Sequence, residues 1–93
     1  MSNPSSPHAR PIVITNALRT PIGKFFGSFK DMSCVDLGVS VVTDLLAEAG
    51  LSPTEVGSTI LGVGRQAGSG PNPARQVSVR AGIPVESPAW TMN

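Results

Sequence analysis

Two short runs of branched apolar residues, Ile12-Val13-Ile14 and Thr59-Ile60-Leu61-Gly62-Val63, stand on either side of a segment with the period of a helix. A two-residue turn cannot join strands that far apart. Alternation of strand and helix argues for a crossover connection, with the strands parallel in one sheet. The intervening helix is well marked. Ser33-Cys34-Val35-Asp36 has the form of a capping box, with a hydroxyl at the N-cap and a carboxylate three residues on. Gly38, Val41, Val42, Leu45, Leu46 and Ala49 follow at the spacing of one helical stripe, while Ser40, Thr43, Asp44 and Glu48 take the other side. Gly50 is placed to close the helix in the left-handed conformation.

The remaining elements are shorter. Arg19-Thr20-Pro21-Ile22-Gly23 ends the first strand, and Phe25, Phe26 and Phe29 around Gly27 suggest a loop packed down by its aromatic side chains. Ser52-Pro53-Thr54-Glu55 repeats the capping signal, with room for a single turn before Gly57. After the second strand comes a Gly- and Pro-rich loop over 64–73. Asn72 as N-cap and Pro73 as first helical residue then open a helix that runs to Ala81 and ends at Gly82. Pro84 and Pro88 set a turn before a third extended segment, Ala89-Trp90-Thr91-Met92. The expected order is βααβαβ over residues 12–93, behind a polar, mobile leader at 1–11, which makes an α/β chain with a mostly parallel sheet. A parallel sheet needs cover on both faces, and 93 residues do not supply it. The expectation is an incomplete domain, finished by other polypeptide.

Several functions are disfavoured by composition. Seven Lys and Arg against six Asp and Glu give a net charge of +1, too weak a field to point to nucleic acid. No apolar run approaches the ~20 residues of a membrane span. Residues 1–10 hold no apolar block, unlike a secretory signal, so a cytoplasmic location is the default. One cysteine, Cys34, excludes an intramolecular disulfide and any zinc site built on several cysteines. Its nucleophilic use would need a base, and the single histidine, His8, lies in the leader, so Cys34 is read as a small packing residue. Gly62-Val63-Gly64-Arg65-Gln66-Ala67 has the G-x-G-x-x-A form of a dinucleotide fingerprint. That fingerprint works only if a helix opens at once, and Gly68, Gly70, Pro71 and Pro73 prevent it. Arg75 and Arg80 project from the short helix, toward solvent or toward an ion pair. Neither a catalytic set nor a metal or cofactor site can be assembled from these residues.

Four stretches together carry a resemblance. Ile12–Thr20 with Pro21-Ile22-Gly23-Lys24-Phe25, Leu45–Leu51 with Ile60-Leu61-Gly62, Gln66–Gln76 running on to Ala81-Gly82-Ile83-Pro84, and Ala89–Asn93 resemble the opening of the thiolases, the acyl-CoA acyltransferases. The Gln66–Gln76 stretch is the most specific of the four. The resemblance implies the first part of the N-terminal half of a thiolase fold. It also implies a nucleophilic cysteine a few residues beyond a sequence like Trp90-Thr91-Met92-Asn93, and a base histidine, an oxyanion-hole Asn-His pair and a second cysteine much farther along. Cys34 aligns with neither cysteine, so no catalytic role passes to it.

This chain is therefore expected to be inactive alone and to bind no cofactor, with coenzyme A thioesters as substrates of the assembled enzyme. Its expected partners are a complementary C-terminal thiolase chain and further copies of the assembled unit, as dimer or tetramer. Gln66, Asn72, Arg75, Gln76, Met92 and Asn93 are the residues the resemblance puts near a subunit contact or the wall of the site. A separately encoded partner, cleavage of a longer chain, or an artificial split would each account for an end at Asn93. Two other readings stay open: a non-catalytic binding module using the 64–73 loop, and part of a ketosynthase-like condensing enzyme.

Overall fold

The computed structural model describes residues 10–66 and 68–93; the leader expectation over 1–9, with His8, and the placement of Ala67 lie outside them. Helix α1 spans Cys34–Ala49, a 3-10 turn follows at Pro53–Glu55, strand β1 is Thr59–Gly62, helix α2 is Pro73–Arg80, and strand β2 is Ala89–Met92. The capping signals behave as local chemistry dictates. Ser33 Oγ accepts from the Asp36 amide and Asp36 Oδ2 accepts from the Ser33 amide, each at 3.0 Å, so two amides without helical partners are satisfied reciprocally. Gly50, at φ 70°, closes α1 with its amide bonded to the Ala47 and Leu46 carbonyls.

β1 and β2 pair in parallel, Thr59 with Ala89, Ile60 with Trp90, Leu61 with Thr91 and Gly62 with Met92. The Thr59 amide donates to the Pro88 carbonyl (2.9 Å) and the Val63 amide to that of Met92 (2.8 Å), which carries the ladder past both ends. α2 is the crossover between the two strands and packs against both of them and α1. The core is small: Val35, Ala74, Val77 and Ile83 are the buried apolar residues, with Pro73 and Ser78 beside them. α1 and α2 approach closely at Gly38, where a Cβ would stand 2.9 Å from Val77 Cγ2. At the same crossing Arg80 Nη1 meets Asp36 Oδ1 at 2.9 Å. The Ser33 amide, followed by the Arg80 guanidinium, holds the Asp36 carboxyl below the usual carboxylate range.

Three expectations are corrected. Ile12-Val13-Ile14 is not a strand: the run has no ladder partner among the described residues, with Ile12 93% and Ile14 95% exposed. The described order is thus α1, 3-10 turn, β1, α2, β2, without the first β of βααβαβ. A doubly apolar strand needs a ladder and cover on both faces, and a two-stranded sheet with one helical layer provides neither at that position. The aromatic loop is also only partly packed. Phe29 lies over Gly23, where a Cβ would come within 2.7 Å of its ring, but Phe25 and Phe26 remain 92% and 75% exposed in an edge-to-face pair. Cys34, lastly, is exposed; Val35 beside it turns into the core instead.

Candidate functional site

The loop leaving β1 decides what this region can do. After Gly62 the chain runs through Gly64 and Gln66 into a turn closed by the Ser69 amide and hydroxyl, both donating to the Gln66 carbonyl (3.1 and 2.6 Å). The next helix begins only at Pro73, so the amides that would hold a pyrophosphate are absent from the G-x-G-x-x-A run, as the glycines and prolines dictate. Gln76 Nε2 reaches back from α2 to the carbonyls of Ser69 and Pro71, each at 2.9 Å, and pins the loop to the helix that follows it. Gly70 permits this: its φ is 77°, and a Cβ there would lie 3.0 Å from Gln76 Nε2.

Asn72 joins the loop, α2 and β2. Its Oδ1 accepts from the Arg75 amide (3.2 Å) as N-cap, and its Nδ2 donates to the Ala89 carbonyl (3.2 Å). The Thr91 hydroxyl donates to the same Oδ1 (2.8 Å) and accepts from the Ala74 amide (3.0 Å). Pro73 has no N–H, so Asn72 and Thr91 between them satisfy the amides of Ala74 and Arg75 in the first turn of α2. The backbone pays for this geometry locally, with Asn72 at φ 41°, a left-handed position that Asn tolerates better than most residues.

The six residues singled out from the sequence fall in different places. Asn72 and Gln76 form the two clasps, and Gln66 takes part through its carbonyl. Arg75 points away, half-buried, with Nη1 donating to the Val85 carbonyl (3.3 Å). Met92 enters the ladder through its carbonyl while its side chain is exposed, and Asn93 is exposed beyond the end of β2. Arg80, read as facing solvent or an ion pair, pairs with Asp36. Thr91 and Ser69 were missed. No sequence signal marks Thr91: in the structure Ala89 and Thr91 are half-buried on one face while the larger apolar Trp90 and Met92 are exposed on the other.

The clasped groups are amides, hydroxyls and one guanidinium. They fix backbone and donate hydrogen bonds, and do no acid–base work themselves. Among the described residues no three His, Cys, Asp or Glu side chains gather to hold a metal, and no helix is long and apolar enough to cross a membrane.

The profile of the family described as "Thiolase, N-terminal domain" matches residues 12–93. The chain is 44% identical over 82 residues to "Probable acetyl-CoA acyltransferase" of Staphylococcus aureus, covering 88% of this chain and 21% of that protein. It is 46% identical over 81 residues to "Acetyl-CoA acetyltransferase" of Paracoccus denitrificans, covering 87% of this chain and again 21% of that one. Among solved structures it resembles the Acat5 thiolase of Ascaris suum in complex with coenzyme A, with a TM-score of 0.78 at 36% identity over 82% of this chain and 20% of that one. The chain thus spans about a fifth of the length of the relatives it matches.

Proposed function

We infer function from one premise: this chain belongs to the thiolase family, as part of the thiolase N-terminal domain. The family is one of acyltransferases, and its small α/β fold with parallel strands is the one described above. We propose that the chain is the opening part of an enzyme that transfers an acyl group between coenzyme A thioesters, forming or cleaving acetoacetyl-CoA or a longer 3-ketoacyl-CoA. It works when assembled with a complementary chain that carries the nucleophilic cysteine, the base histidine and the second cysteine. The observation that carries this reading is the match of residues 12–93 to the thiolase N-terminal domain family, with 44–46% identity to relatives named acetyl-CoA acyltransferase and acetyl-CoA acetyltransferase.

In the first step of the proposed reaction a cysteine thiolate attacks the thioester carbonyl, the C–S bond to coenzyme A breaks, and the coenzyme A thiolate leaves with the electron pair. In the second, a coenzyme A-bound carbanion or a coenzyme A thiolate attacks the acyl-enzyme carbonyl and releases the cysteine. This chain's share is structural: strands beneath the nucleophile's helix, and a clasped loop at the wall of the site or a subunit contact, with Gln66, Asn72, Arg75, Gln76, Met92 and Asn93 closest to it. The assembled unit is a dimer or tetramer in the cytoplasm, and the chain alone is inactive.

Denaturing and native mass spectrometry on one preparation, with and without iodoacetamide, tests the proposal. A larger co-purifying chain whose thiolysis activity disappears on alkylation of a single cysteine is expected. A lone folded 93-residue species without a partner would overturn it and favour a binding module. Decarboxylating condensation of malonyl thioesters would overturn it in favour of a ketosynthase-like enzyme.

A further inference from the structure

We propose that Thr91 is a positioning residue, setting where β2 presents Met92 and Asn93 to the rest of the enzyme; the proposal rests on the thiolase reading above. Its hydroxyl is used on both sides, accepting from the Ala74 amide at 3.0 Å and donating to Asn72 Oδ1 at 2.8 Å. A hydroxyl so engaged cannot turn without losing one bond or the other. Ala74 is fully buried, and its amide, in the first turn of α2, has no helical acceptor. Thr91 therefore ties the end of β2 to the first turn of α2. Asn72 makes a second tie to the same strand at the Ala89 carbonyl, two residues earlier.

The two ties hold the strand at alternate residues, one through the Thr91 side chain and one through the Ala89 backbone carbonyl, so neither a slide nor a roll of β2 against α2 is free. The opposite face of β2, with Trp90 and Met92, carries no such bond and is exposed. Met92 and Asn93, at the end of the strand, inherit the placement that Thr91 and Asn72 impose. In the proposed enzyme Met92 and Asn93 stand at the wall of the site, where a misplacement of about 1 Å is worth up to ~100-fold in rate.

The test uses the assembled enzyme, with thiolysis of acetoacetyl-CoA by coenzyme A and alkylation by iodoacetamide as probes. Thr91→Val keeps the shape and removes both bonds, whereas Thr91→Ser keeps them. Thr91→Val is expected to lower kcat about tenfold or more with KM changed less than about twofold, and to move the pH midpoint of alkylation upward. Thr91→Ser is expected to stay near the parent in both. Parent-like kcat and alkylation profile in Thr91→Val would overturn the proposal, as would Thr91→Ser falling as far as Thr91→Val.

Should Thr91→Val fail to assemble, Thr91→Ala serves instead. Thr91→Ala also removes both bonds, without setting a second methyl against the Ala74 amide; a lowered kcat supports the role and an unchanged kcat overturns it. Hydrogen exchange at the Ala74 and Val63 amides reads the clasp without activity, and faster exchange in Thr91→Val is expected. A parent assembly with no thiolysis would overturn the thiolase reading while leaving that exchange result to judge the clasp.

Discussion

Gly38 and Asp36 sit two residues apart on α1, where it crosses α2. At Gly38 the absent Cβ is what lets the helices meet, because Val77 Cγ2 would stand 2.9 Å from it and Val77 is fully buried. Alanine there gains about 1 kcal/mol of helix propensity but has to displace a stiff β-branched side chain, and such overpacking costs about 1–3 kcal/mol. Gly38→Ala is therefore expected to destabilise the protein in chemical denaturation, and a double-mutant cycle with Val77→Ala should reveal coupling between the two positions. Additive effects would mean that the helices shift apart freely. Asp36 acts through charge. Its folded pKa lies below the unfolded one, so the stability it contributes is present above about pH 4 and is lost as pH falls through the folded value. Asp36→Asn should flatten the acid limb of the stability–pH curve and leave its alkaline limb unmoved. Because Arg80 and Asp36 are both substantially exposed, high salt should shrink the difference between the two proteins.

At the scale of elements, α2 shows how much depends on its ends. Asn72→Ala removes the N-cap acceptor, the bond to β2 and the acceptor of Thr91 together, so a loss of about 1–2 kcal/mol in thermal or urea unfolding is expected, toward the upper end for a cap. Gln76→Ala should leave global stability closer to the parent while raising exchange at the Ser69 amide, because Gln76 holds the loop rather than the helix. These elements were legible in the sequence to the extent that their chemistry is local. Ser33 with Asp36, Ser52 with Pro53, and Asn72 with Pro73 each announce a helix start within four residues, and all three starts are where the sequence puts them. What stayed hidden is non-local. Thr91 bonds to residues 17 and 19 positions earlier, and nothing within β2 marks its hydroxyl as a cap for another element's helix. Ile12-Val13-Ile14 has the composition of a buried strand, but composition does not supply a ladder partner.

For the molecule as a whole, the position of its apolar side chains matters more than their number. Ile12, Val13 and Ile14 are exposed on an unpaired run, and Ile60, Trp90 and Met92 face outward from the sheet. A chain that stays alone in water rarely leaves so many apolar side chains uncovered, and the relatives of this one are about five times as long. The proposed complementary chain would cover these surfaces, and a single substitution separates that arrangement from solvent exposure. Ile14 is 95% exposed, so Ile14→Asp should change the stability of this chain by less than about 0.5 kcal/mol. Within an assembly that covers the run, the same change replaces a burial worth about 1.5–3 kcal/mol with an unpaired carboxylate out of water, which costs more still. Ile14→Asp is thus expected to abolish co-purification of the larger chain in native mass spectrometry, with Ile14→Val retaining it. Full assembly of Ile14→Asp would mean that the run remains in water in the complete protein. The cover that the complementary chain supplies would then have to lie on the Ile60, Trp90 and Met92 face alone.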